Sequence, residues 1–160
     1  MFVEVTMHMA RKSFNEKLNN SVDLPKVEEI TDIRMIFRYG GSRMLIAPAL
    51  YYDEAMRKVP FGRLTTSDAI RAFLAREHDA DFTCPLTAGI FINIAANASH
   101  ERKTDVTPYW RTLKKNGMLN EKFPMGIDGH RELLENEGHA VIQKGKGYYV
   151  KDYEKSLFEY

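Results

Sequence analysis

The residues VPFGRLTTSDAI at positions 59–70 contain a turn followed directly by the beginning of a helix. The letters VPFG suit a turn, and a hydroxyl of Thr66 or Ser67 can cap a helix whose first turn is favoured by Asp68. Apolar residues then follow at the spacing of one helical face: Ala69, Ile70, Phe73 and Leu74. The stretch therefore predicts an α-helix that starts near position 67 and buries one face.

Helices are also predicted on both sides of this one. Upstream, YYDEAMRKV at 51–59 has an apolar face, formed by Ala55, Met56 and Val59. Downstream, a loop at 76–84 and then Pro85 precede a third helix, LTAGIFINIAANA at 86–98. Two consecutive helices outline a helix-turn-helix, although the connection is longer than the usual run of about three or four residues.

A β-hairpin is predicted at the C-terminal end. The residues HAVIQ, KGKG and YYVKDY at 139–153 form a strand, a turn that carries lysines, and a second strand. Before it, IDGHRELLENEGH at 127–139 predicts a helix with Leu133 and Leu134 inside and Gly138 as its C-terminal stop. In a helix-turn-helix protein, a hairpin placed in this way is a wing.

The first 50 residues are predicted to form an N-terminal arm, and residues 51–160 the main domain. Within the arm, SFNEKLN at 13–19 suits a short helix that cannot continue through Pro25. The apolar runs IRMIF and RMLIAP, at 33–37 and 43–48, surround the glycines of YGGS and predict a hairpin.

Composition limits the possible classes of protein. With 160 residues, of which 44% are hydrophobic, the chain can bury one core. The net charge of +1 gives no global basic field, so any surface for nucleic acid must be local. Cys84 is the single cysteine, which rules out an intramolecular disulfide and a cysteine-rich zinc site.

No cofactor is predicted, and no metal site, because the histidines are scattered along the sequence: His8, His78, His100, His130 and His139. The residues MFVEVTMHMARK at the start lack the basic region and long apolar core of a secretory signal. No stretch reaches the roughly 20 apolar residues of a membrane span. We therefore expect a cytoplasmic protein.

The sequence contains an ordered set of motifs, with VPFGRLTTSDAI at 59–70, TPYWR at 107–111 and LLENEG at 133–138. This set resembles the motifs of the O-6-alkylguanine-DNA alkyltransferases, the methylated-DNA-protein cysteine methyltransferases. The residues at 59–70 resemble the family's Ile-Pro-Tyr-Gly turn and the helix that follows it. TPYWR at 107–111 corresponds to its Pro-Cys-His-Arg active-site motif, and Asn116-Gly117 to its Asp-Gly turn. Gly126 and LLENEG at 133–138 match its Gly-Gly segment and its Leu-Leu-x-x-Glu-Gly helix. The resemblance covers about residues 51 to 150.

The resemblance implies an α/β fold: a mainly helical winged helix-turn-helix domain of the alkyltransferase C-terminal type with a small C-terminal β-hairpin. It also implies that alkyl transfer is lost. Tyr109 stands at the position of the family's cysteine nucleophile and Trp110 at that of its histidine, while Glu137 is retained. A phenol, with a pKa near 10, is a far poorer nucleophile at neutral pH than an activated thiolate.

Alkyltransferase-like relatives without the cysteine still bind alkylated guanine. The resemblance therefore implies a non-catalytic protein that binds double-stranded DNA. It also implies, more specifically, that the protein recognises alkylated guanine in DNA repair. The family's phosphate-displacing tyrosine and arginine finger correspond here to Ser67 and Thr87. The residues predicted to bind DNA are Thr66, Ser67, Thr87, Asn93, Arg111, Lys114 and Lys115.

Several alternatives remain open from the residues. Pro108 and Tyr109 could line a pocket for a base, since aromatic faces stack on bases, or Tyr109 and Trp110 could belong to the core. Cys84, before the third helix, could be packed or could be a relocated alkyl acceptor. A protein-interaction module that kept the fold without binding DNA is a further possibility, since charge runs are usually solvated surface.

Overall fold

Helices dominate the fold, and the strands between them are short. The computed structural model describes residues 12–160, and this part of the chain contains six α-helices and seven β-strands. The helices are α1 (Phe14–Leu18), α2 (Ile33–Tyr39), α3 (Ala49–Arg57), α4 (Ser67–Glu77), α5 (Pro85–Glu101) and α6 (Gly126–Asn136). The strands are β1 (Lys26–Glu29), β2 (Arg43–Ile46), β3 (Thr65–Thr66), β4 (Phe82–Thr83), β5 (Thr112–Leu113), β6 (Val141–Lys144) and β7 (Gly147–Val150). The chain is thus a mixed α/β protein, as expected.

The helices predicted from position 51 onward are confirmed. Thr66 caps α4, because its hydroxyl oxygen accepts a hydrogen bond from the Ala69 amide at 3.1 Å. Pro85 occupies the first turn of α5, where its missing N–H costs no helical hydrogen bond. Gly138 follows α6 with a φ of +89°, a conformation that favours glycine at a helix end.

The main core surrounds the middle of α5. Ala95, Ala96 and Ala98 have no exposed surface, and such small side chains let α1 and α3 approach the helix closely. Leu45 of β2 and Tyr52 of α3 are fully buried in the same cluster. The apolar content of the sequence is therefore concentrated in one core around α5.

The predicted hairpin in the arm is wrong in one of its two strands. The run IRMIF belongs to helix α2, because Asp32 caps its start and Gly40 ends it with a φ of +83°. The second run, RMLIAP, does contain strand β2, whose antiparallel partner is the polar strand β1. On its other side β2 pairs in parallel with β4. The arm therefore shares a three-stranded sheet with the segment that leads into α5.

The N-terminal helix α1 is attached to the end of α5. The Asn15 side chain donates a hydrogen bond to the Ala98 carbonyl oxygen at 2.9 Å, and Glu101 accepts hydrogen bonds from the amides of Phe14 and Asn15. The part of the predicted arm at residues 1–11, with His8 and most of the region considered as a signal, lies outside the described residues. None of the helices in residues 12–160 combines the length and the apolar character that a membrane-spanning helix needs.

Two small sheets position the remaining elements. Strands β3 and β5 pair in parallel through Thr65–Thr112 and Thr66–Leu113, which places the head of α4 beside the motif at 107–111. The predicted C-terminal hairpin is confirmed as β6 and β7, with Gly145 at the tip. A second apolar cluster lies beneath it, formed by Leu64, Leu113, Leu119, Leu134 and Val150.

Candidate nucleic-acid interface

A groove of about 500 Å³ runs along the first half of α5. One wall is α5 itself, with the head of α4 beside it, and the other wall is the segment 114–122. The side chains on the helical side belong to Ser67, Leu86, Ile90 and Asn93, and those on the opposite wall to Lys114, Lys115, Asn120, Glu121 and Lys122. Four of the residues predicted to bind DNA line this groove, namely Ser67, Asn93, Lys114 and Lys115.

Lys114 and Lys115 lie in a tight turn that was predicted from the sequence. Asn116 and Gly117 have φ values of +65° and +82°, and the Lys114 amide donates to the Met118 carbonyl oxygen at 2.8 Å. Lys114 lies 3.4 Å from the Glu121 carboxylate, an exposed ion pair of small energy. Within residues 12–160, Lys115 and Lys122 form no salt bridge. Both ammonium groups are therefore available to an anion.

Two asparagines connect the walls. The Asn120 side chain donates a hydrogen bond to Oδ1 of Asn93 at 3.0 Å, and the Lys122 amide donates to Oδ1 of Asn120 at 2.9 Å. Asn97 also donates from its side chain to the Lys122 carbonyl oxygen at 3.4 Å. These bonds hold the lysine-bearing segment at a fixed distance from α5.

Two of the predicted hydroxyl contacts are engaged within the protein. The Thr66 hydroxyl caps α4, and the Thr87 hydroxyl lies 3.5 Å from the Cys84 carbonyl oxygen, so both have local partners. Neither residue lines the groove. Ser67 is the hydroxyl residue of the predicted set that does.

The expected base pocket at Pro108 and Tyr109 is closed. Tyr109 is 5% exposed, and the rings of Trp110 and Phe123 pack edge-on against it at centroid distances of 5.4 and 5.3 Å. Burial raises the pKa of the Tyr109 phenol above its ordinary value. The motif turn at 107–109 therefore directs the ring into the core, because Phe123 and α5 supply an apolar surface there.

Arg111 differs from the prediction because its guanidinium is paired inside the protein. Its Nε lies 3.0 Å from both oxygens of Glu137, its Nη2 lies 3.0 Å from Oε2, and its Nη1 donates to the Val59 carbonyl oxygen at 2.8 Å. The Arg111 side chain is 13% exposed and that of Glu137 is 5% exposed. Bound in this way, Arg111 serves the fold and does not line the groove.

Glu137 has two further donors. The indole Nε1 of Trp110 donates to Oε2 at 2.6 Å, and the Gly62 amide donates to Oε1 at 2.8 Å. Burial alone would raise the pKa of Glu137, but the hydrogen bonds from Arg111, Gly62 and Trp110 outweigh it and lower the pKa. The carboxylate thus joins the VPFG turn, the motif at 107–111 and the end of α6.

His130 supports the same motif from the other side and was missed as a structural residue. It is fully buried, Nδ1 accepts a hydrogen bond from the Asn120 amide at 3.1 Å, and Nε2 donates to the Trp110 carbonyl oxygen at 2.8 Å. Burial lowers the pKa of His130 to about 4. The ring is therefore neutral at pH 7, with its proton on Nε2.

Comparison with solved structures finds similarity to alkyltransferase-like proteins of S. pombe. One match is S. pombe Atl1 in complex with damaged DNA containing O6-carboxymethylguanine, and another is S. pombe ATL in complex with DNA. Each shows 17% sequence identity and a TM-score of 0.49, over 69% of this chain and 94% of the other. No protein-family profile and no curated protein sequence matches the chain.

Cys84 precedes α5, and its side chain is half-buried. Its amide donates to the Leu45 carbonyl oxygen at 2.9 Å, which links the start of α5 to β2. Elsewhere in residues 12–160, no three histidine, cysteine, aspartate or glutamate side chains form a group that could hold a metal ion.

The other residues of the groove were not predicted from the sequence, among them Leu86, Ile90, Asn120 and Lys122. Leu86 and Ile90 are apolar, and they lie on the exposed face of α5. A helical projection of α5 would have shown them opposite the buried residues Ala88, Ile92 and Ala95. The contact of segment 114–122 with α5 has no such signal in the sequence.

Proposed function

We propose that this protein binds double-stranded DNA without catalysis, as a winged helix-turn-helix protein, and that the groove along α5 is its contact surface. The observation that carries the proposal is the placement of Lys114, Lys115 and Lys122 opposite an exposed face of α5. Lysine ammonium groups neutralise phosphates and release counterions, whereas a helix face beside them can reach the bases.

The groove gives the protein a locally basic surface although the net charge of the chain is only +1. One wall carries three lysines and a single glutamate, Glu121, which is already close to Lys114. Affinity from so few phosphate contacts is expected to be modest and to fall steeply as salt rises.

The absence of alkyl transfer is proposed from the residues at the motif positions. Tyr109 offers a buried phenol whose pKa is raised. Trp110 cannot act as a base because an indole nitrogen is a donor only, and here it donates to Glu137. Neither residue can replace a thiolate activated by histidine.

The test combines binding with chemistry on the intact protein. Fluorescence anisotropy with a labelled duplex should show binding that weakens as salt is raised. Mass spectrometry after incubation with an O6-methylguanine duplex should show no added methyl group. A methyl adduct on Cys84 would show that the protein is an alkyl-transfer enzyme with a relocated acceptor. If the protein bound no DNA at low salt, a protein-interaction module would be the remaining explanation of the fold.

Recognition of alkylated guanine is a second candidate. It is favoured by contact between the three residues at the family's active-site positions, since Tyr109 packs on Trp110 and Trp110 donates to Glu137. A flipped base could enter there only if the Tyr109 ring moved out of its packing. A competition experiment compares the affinities for alkylated and normal duplexes. Equal affinities would exclude recognition of alkylated guanine and would leave duplex binding itself unaffected.

A further inference from the structure

Two large aliphatic side chains are exposed on the groove side of α5. Leu86 is 73% exposed and Ile90 is 51% exposed. They are four residues apart, so they lie one above the other on the same helical face. The opposite face, with Ala88, Ile92 and Ala95, is buried in the main core. The exposed pair therefore contributes nothing to that core and is available to a binding partner.

Gly89 lies between them and has no role in packing that would explain a glycine. A Cβ added there would meet no heavy atom of residues 12–160 within 4 Å, apart from its chain neighbours and its own helix backbone. A glycine inside a helix costs stability relative to alanine, since it gains backbone entropy on unfolding. Because the fold itself gains nothing from this cost, the glycine points to a partner that approaches the helix backbone closely.

The charge of the groove wall opposite α5 indicates what kind of partner binds there. Lys114, Lys115 and Lys122 stand across the groove from the exposed pair, so a partner seated there meets aliphatic side chains on one side and ammonium groups on the other. Double-stranded DNA offers both complements, a phosphate backbone and a stack of apolar base faces. Aliphatic wedges beside basic residues are a known way to open a base step.

We propose that Leu86 and Ile90 form an aliphatic wedge that enters a base step of duplex DNA, and that Gly89 lets the sugar-phosphate backbone or a base edge approach α5. This inference rests on the proposed function and deepens it. The lysines then supply salt-dependent affinity, whereas the wedge supplies affinity that depends on how easily the step unstacks. The protein should therefore bind a duplex with one mismatch more tightly than a fully paired duplex.

The experiment compares Leu86→Ala/Ile90→Ala and Gly89→Ala with the parent protein, using a fully paired and a singly mismatched duplex. The double variant should bind the mismatched duplex about tenfold more weakly, lose the preference for the mismatch, and keep the salt slope. Gly89→Ala should raise the melting temperature while weakening binding. Phe37→Ala is the control, since Phe37 is an apolar residue on α2 that is more exposed than either member of the pair, and it should leave binding unchanged.

The outcomes separate the inference from the proposed function. If the parent shows no salt-dependent binding to either duplex, both fail. If it binds with the expected salt dependence but the double variant retains its affinity and mismatch preference, the wedge alone is refuted. Circular dichroism melts confirm that the variants are folded. Sedimentation measures self-association of the parent and of the double variant. If the double variant loses self-association but keeps its DNA binding, Leu86 and Ile90 form a protein contact and the wedge proposal is refuted.

Discussion

Replacement of Glu137 by glutamine should strongly destabilise the protein. The carboxylate accepts hydrogen bonds from Trp110, from Gly62 and from Nε of Arg111 at 2.6 to 3.0 Å, and Nη2 of Arg111 lies 3.0 Å from Oε2 as an ion pair. Removing one partner of a buried ion pair costs about 3 to 5 kcal/mol, because the other charge is left without compensation. For a domain of this size, a loss of that magnitude lowers the melting temperature by roughly 10 °C.

The assay is urea unfolding followed by tryptophan fluorescence, since Trp110 is the single tryptophan. Glu135→Gln, an exposed position on the same helix, is the matched control and should change the free energy of unfolding by less than about 0.5 kcal/mol. The double variant Arg111→Met/Glu137→Gln should lose less than the sum of the single variants. If Glu137→Gln lowered the free energy of unfolding by less than about 1 kcal/mol, the stabilising role assigned to the Glu137 carboxylate would be refuted.

Two further predictions concern buried polar groups. Burial lowers the pKa of His130 to about 4, so between about pH 6.5 and pH 4 the unfolded chain binds the proton more readily and stability falls as pH falls. The contribution of His130 should be about 2 kcal/mol lower at pH 5 than at pH 7, a difference that His130→Gln should lack in unfolding titrations. Within the described chain the buried hydroxyl of Tyr52 has no hydrogen-bond partner, so Tyr52→Phe should raise the free energy of unfolding by about 1 kcal/mol. Tyr160→Phe should lower it by about as much, because that hydroxyl donates to a backbone carbonyl at 2.9 Å, and chemical denaturation distinguishes the two signs.

Local signals in the sequence account for most of the helices. The cap, the proline of a first turn and the glycine after a last turn each act through neighbouring backbone atoms. Pro85 and Gly138 were predicted in these roles, and Thr66 was one of the two caps proposed for α4. The mistake at IRMIF has a local cause as well. Asp32 and Gly40 flank it as a cap and a stop, but its apolar residues, placed before the glycines of YGGS and a second apolar run, suggested the first strand of a hairpin.

The candidate site was harder to predict because long-range contacts decide which side chains remain free. Arg111 is removed from the surface by Glu137, which is 26 residues away in the sequence. Tyr109 is buried by Phe123, and Lys122 is brought to α5 by the amide pair of Asn93 and Asn120. No periodicity or cap encodes these contacts, so the sequence predicts the lysine-rich turn but not the groove that it faces.

The salt dependence of duplex binding by a lysine variant decides whether the groove along α5 contacts DNA. Lys115→Ala/Lys122→Ala removes the two groove lysines that form no salt bridge within residues 12–160, and the control Lys58→Ala/Lys103→Ala removes two exposed lysines that do not line the groove. If each groove lysine neutralises one phosphate, the slope of log K against log salt should become shallower by about 1.8 in the groove variant and stay unchanged in the control. An unchanged slope in the folded groove variant would contradict the assignment of this groove to DNA.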